Sequence, residues 1–133
     1  MYRTALLATA LLATPTLAQD APTRDALSLA AGYKAQFTCS ATFNAGKTPD
    51  QITADELTNI YAGYIPVMEE VGEAVIDTEA RTVSVTFADD MPPRIAAHRP
   101  HLGCSSLPPG ATADATKFLP TVDLKTPDFT NVA

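Results

Sequence analysis

Between Thr23 and Gly46 the chain carries a helical signature. Leu27, Ala30, Ala31, Lys34, Phe37 and Ala41 recur at spacings of three and four, which predicts one face of a helix turned inward. Thr23 is suited to the N-cap, with Arg24 and Asp25 opening the first turn. Gly32 weakens the middle of the helix, and Asn44-Ala45-Gly46 supplies a stop because Asn and Gly tolerate the left-handed conformation. On this spacing Cys39 faces inward near the helix end. Thr48-Pro49-Asp50 then reads as a turn opening a new element, with proline favoured at a first helical position. Thr53-Ala54-Asp55-Glu56 matches a capping box in which Thr53 and Glu56 satisfy each other's backbone N–H groups. Leu57, Ile60, Tyr61 and Tyr64 give the following short helix an apolar face, and Pro66 is expected to end it. Val67 to Gly72 reads equally as a further helical turn or as a loop.

From Ala74 the period changes to two. Ala74 to Asp77 is a short strand candidate, Thr78 to Arg81 a polar turn, and Thr82 to Phe87 alternates apolar residues with hydroxyls, so a hairpin with one buried face is expected. Asp89-Asp90-Met91-Pro92-Pro93 interrupts the pattern. Arg94 to Arg99 returns as a third strand, ended by Pro100 and delivering Cys104 after Gly103. The predicted fold is α+β: an N-terminal helix and a short second helix packed on a small antiparallel sheet of about three strands, followed by an irregular tail. The expected core comprises Leu27, Phe37, Phe43, Leu57, Ile60, Tyr64, Val67, Val75, Val83, Val85, Phe87 and Ile95. No internal repeat is present.

The N-terminus changes the picture of the compartment. Met1-Tyr2-Arg3 is a short basic start, Thr4 to Ala13 an apolar run of Ala and Leu, and Thr16-Leu17-Ala18 fits a signal peptidase site. A membrane anchor is the competing reading, but the run is too short to span a bilayer and Pro15 breaks it. Cleavage after residue 18 leaves 115 of the 133 residues, enough for one small domain. The expected division is a signal peptide over 1–18, a small α+β domain over 19–107, and a Pro-rich extended connector over 108–133. No later stretch is apolar enough to cross a membrane, so a periplasmic or secreted location is expected. The chain carries a net charge of −6 with no clustered Lys or Arg, which argues against a nucleic-acid partner. Two cysteines in an exported chain, each near the end of a predicted element, point to a Cys39–Cys104 disulfide rather than to a Cys39 nucleophile activated by a histidine.

Other candidate chemistry is weak. His98 and His101 stand three apart, but Pro100 argues against a helix that would align them, and along a strand they face opposite sides. Asp89-Asp90 and Glu69-Glu70 lack the spacing of a calcium loop and read as solvated acids. Ser40, Ser84, Ser105 and Ser106 have no nucleophile-elbow context, and no Gly-rich phosphate loop is present. The residues themselves assign no catalytic, cofactor or metal site.

A resemblance adds to this reading. An export signal, a helix ending in FTCSATFNAGK, the segment ITADEL, the hairpin AVIDTEARTVSVTF and then MPPRIAAHRPHLGCSSLPPG together resemble the N-terminal region of bacterial serine hydrolases. These belong to the penicillin-binding-protein-like group, which includes class C β-lactamases. The likeness covers roughly Gly32 to Gly110, and is sharpest at Cys39-Ser40 and at Arg99 to Cys104. That family's chemistry uses Ser-x-x-Lys, Tyr-x-Asn and a Lys-Thr-Gly-like strand. None occurs here; Lys125-Thr126-Pro127 comes nearest, with a proline that removes a backbone donor. The resemblance therefore implies an accessory region that packs against a serine hydrolase catalytic domain, in cis or in trans, and is itself inactive. The alternative is a free-standing, disulfide-linked secreted binding module.

Overall fold

The structure is a computed structural model that describes residues 21–123; the expected signal peptide and residues 124–133 of the expected connector lie outside the described residues. Helix α1 spans Arg24–Phe43, with the Thr23 hydroxyl accepting from the Ala26 N–H as the N-cap. Its C-cap is Asn44, and Gly46 follows with a positive φ of 64°. Both ends fall where the cap residues placed them.

The segment after α1 departs from expectation. Helix α2, Pro49–Ile52, opens with a capping box formed by Thr48 and Gln51, one turn earlier than the expected Thr53–Glu56 pair. Thr53 instead donates its hydroxyl to the Pro49 carbonyl, and Glu56 accepts from Lys47, which also pairs with Asp55. Pro49 decides the matter: it fixes the first helical φ, so the cap must precede it. The chain then passes through a wide turn over Thr53–Leu57, breaks at Asn59 (φ 55°) and re-forms helix over Ala62–Tyr64 and α3, Ile65–Glu69. Pro66 lies in the first turn of α3, so it starts a helix rather than ending one. A proline needs no N–H partner there.

Four strands form an antiparallel meander in the order β1-β2-β3-β4: Val75–Asp77, Thr82–Val85, Arg94–Arg99 and Gly103–Ser106. The sheet is therefore one strand larger than about three. The Cys104 segment pairs with β3, with Cys104 opposite His98 and Ser106 opposite Ala96. His101, at φ 66°, and Gly103, at φ 72°, supply the reversal between the last two strands. Such a short polar strand has no alternating apolar signal to betray it.

Helix α1 lies across β2, β3 and β4. Val83 pairs with Ala96, and both are buried with Val85 against Ala30, Ala31, Ala35 and Cys39. Small residues on both surfaces let helix and sheet approach closely. The expected aromatic core does not form in full: Phe37, Tyr64 and Val75 are exposed, while Ile52, Val71, Ala97 and Leu107 are buried instead. Gly32 faces Arg94, whose guanidinium donates to the Ser28 hydroxyl and the Leu107 carbonyl. A β-carbon at Gly32 would stand 3.3 Å from that guanidinium, which accounts for a glycine in mid-helix. Beyond β4, Ala113–Phe118 makes a 3-10 turn, and Arg99 donates to the Pro120 carbonyl.

Cys39 and Cys104 are joined in a disulfide that closes a loop of 65 residues, and Cys39 is fully buried. Replacing both by alanine should lower unfolding free energy by roughly 4 kcal/mol in urea titration. An unchanged midpoint would contradict a stabilising role. Gly72→Ala places a methyl against the Thr86 side chain, where Gly72 also donates its N–H to the Thr86 carbonyl. It should cost about 1–3 kcal/mol, and Thr86→Ala in the same chain should recover part of the loss.

Candidate functional site

Two clefts lie between α1 and the irregular segment that follows α2. The stripe Leu29, Tyr33 and Phe37 recurs every fourth residue and so projects from one side of α1. The Tyr33 and Phe37 rings stack at 4.1 Å. Opposite them the left-handed Asn59 reverses the chain and sets Ile60, Tyr61, Tyr64 and Met68 facing the helix. Tyr61 and Tyr64 meet edge to face at 5.9 Å. Gly63 leaves room for this pair, since a β-carbon there would meet the Tyr61 ring at 2.9 Å. The cleft so formed has a volume of about 410 Å³, and Leu29 (65% exposed), Tyr61 (77%) and Tyr64 (53%) stand open on it.

A second cleft of about 430 Å³ adjoins it, with Ile60 and Met68 as walls common to both. Leu57, Ile65 and Val71 complete the apolar lining, and Lys34 enters from α1. The Lys34 side chain is only 10% exposed, and its ammonium reaches Glu73 Oε2 at 3.3 Å, on a carboxylate that is 94% exposed. Lys34 was legible only as a member of the inward row of α1. A lone lysine among apolar positions is the signal that marks it.

The histidines are separated as their positions on β3 and the following turn require. His98 faces the α1 side of the sheet, opposite Cys104, and His101 sits exposed in the turn. His98 Nδ1 accepts from Arg81 Nε at 3.0 Å, so Nε2 carries the proton and donates to Asn44 Oδ1 at 3.0 Å. The ring also lies 5.5 Å from Phe43, over which Arg81 is stacked. Both imidazole nitrogens are thus engaged in tying β2 and β3 to the end of α1. Among the described residues no group of three or more His, Cys, Asp or Glu is placed to hold a metal ion.

Four serine hydroxyls are likewise held in hydrogen bonds, whereas Ser84 lies half-buried on β2. Ser28 accepts from Arg94, Ser40 from Asn44 and Ser105 from Arg99, while Ser106 donates to Gln36 Oε1. Asp90 pairs with Arg24 at the surface, whereas Asp89, Glu69 and Glu70 are exposed. Among the described residues no helix is long and apolar enough to cross a membrane. Compared with protein-family models, curated proteins and solved structures, the chain finds no match.

Burial, and secondarily the Arg81 charge, holds the His98 pKa below its ordinary 6.5. The unfolded chain therefore binds a proton at a pH where the folded one does not. Stability from this group is full above about pH 6.5 and declines as pH falls below it. Urea unfolding between pH 7 and 5 should show this decline in the native protein and a flatter profile in His98→Gln. Equal slopes in the two proteins would remove His98 as its source.

Proposed function

We propose that this chain is an exported, periplasmic or secreted, accessory region of a serine hydrolase that cleaves amide or ester bonds. It packs against the catalytic domain and contributes no catalytic residue. The observation that carries this reading is the exposed apolar face of Leu29, Tyr61 and Tyr64. Large apolar side chains grouped on a small domain are the mark of a surface that another protein covers. Tyrosine suits such a face because it adds contact area with little loss of conformational freedom. The resemblance to the penicillin-binding-protein-like hydrolases names the partner. Its two sharpest stretches, Cys39-Ser40 and Arg99 to Cys104, meet at the disulfide. The engagement of Ser28, Ser40, Ser105 and Ser106 in structural hydrogen bonds supports an inactive accessory role.

The open cleft favours a second reading, a free-standing secreted binding module. The coding sequence beyond the Ala133 codon separates the two: an in-frame Ser-x-x-Lys supports the hydrolase reading, and a stop codon supports the binding module. Purified chain is expected to turn over neither nitrocefin nor p-nitrophenyl butyrate. Turnover that is lost on substitution of a single serine would overturn the accessory role.

A further inference from the structure

We infer that the paired clefts beside α1 bind a small apolar monocarboxylate, its head on Lys34 and its hydrocarbon tail between Tyr33, Tyr61 and Tyr64. The ammonium of Lys34 has three N–H donors. Among the described residues its side-chain acceptor is Glu73 alone, at 3.3 Å, and that carboxylate lies almost wholly in water. A lysine nine-tenths buried beneath an apolar wall therefore keeps donors for a further anion. Charge complementarity selects a carboxylate, and the lining selects its substituent.

Glu69 and Glu73 also face this cleft, both from its exposed rim. Both repel an anion, screened by water at the rim, and the site therefore requires that Glu73, now 3.3 Å from the ammonium, be displaced from Lys34. A ligand carboxylate replaces Glu73 Oε2 on the ammonium and releases Glu73 to solvent. The tail is then to lie along Ile60 and Met68, which line both clefts, toward Tyr33, Tyr61 and Tyr64. A bare inorganic anion gains nothing from that wall, and an alcohol of equal length gains nothing from Lys34. The site is argued on the isolated chain; Tyr61 and Tyr64 also belong to the face proposed for the catalytic domain, so ligand and domain would compete for them.

Octanoate, octanol and octylammonium titrated into the isolated chain, followed by chemical-shift changes at Tyr33, Tyr61 and Met68, test the assignment. Octanoate should bind saturably at one site, and octanol at least about tenfold more weakly, the loss expected for a charged hydrogen bond. Each added methylene should tighten carboxylate binding roughly fourfold until the cleft is full. Lys34→Met should bring octanoate down to the level of octanol. Glu73→Gln alters an exposed side chain and leaves Lys34 in place, so it should tighten octanoate severalfold in a chain that remains folded. Equal binding of octanol or octylammonium, indifference of octanoate to both substitutions, or no saturable binding would each overturn the proposal.

Discussion

The structure depends on the covalent link between the last turns of α1 and the edge strand β4. Helix and sheet meet through alanines at 30, 31, 35 and 96, with Val83 and Val85 as the larger contributors. Close approach of such small side chains removes little apolar area from water, and burial stabilises at only about 25 cal/mol per Å². Against a total stability of about 5–15 kcal/mol, a disulfide of roughly 4 kcal/mol is a large share. The link also holds an edge strand that has one hydrogen-bonded neighbour. Gln36 completes that attachment from α1, donating to the Cys104 carbonyl and accepting from the Ser106 hydroxyl.

Polar groups set the register of this alanine interface. Arg94 occupies the space that Gly32 leaves and reaches both Ser28 on α1 and the Leu107 carbonyl beyond β4. At the other end His98, Arg81, Phe43 and Asn44 form a compact group that joins the helix C-terminus to β2 and β3. Alanine surfaces slide easily over one another, whereas hydrogen bonds have fixed partners and distances. A helix pinned at Arg94, at the disulfide and at His98 has one orientation on the sheet. That orientation turns Leu29 and Tyr33 away from the sheet and toward residues 60–68. The scaffold and the cleft thus follow from the same three attachments.

Much of the scaffold was legible in the residues. Thr23 and Asn44 to Gly46 bounded α1 because caps are local chemistry, and Arg94–Arg99 was readable as a strand from its flanking prolines. The Thr53–Glu56 box was misread because Thr48–Gln51 offers the same reciprocal geometry with the advantage of Pro49. β4 was missed because Gly-Cys-Ser-Ser has no alternation and becomes a strand through its pairing with β3. The cleft was less visible. Phe37 and Tyr64 have the spacing of core residues, and composition does not distinguish an aromatic that faces the sheet from one that faces water.

By itself the sequence determined the elements whose ends are written in neighbouring residues: the capped helix, the hairpin, the third strand and the pair of cysteines near element ends. Tertiary structure alone decided what those elements face. It made a fourth strand of a polar tetrapeptide, set Pro66 in the first turn of a helix, exposed the tyrosines, and placed Lys34 beneath an apolar wall. The physical reason is range. Caps and turns are settled by hydrogen bonds within a few residues of chain, whereas burial and pairing depend on segments brought together across the whole fold.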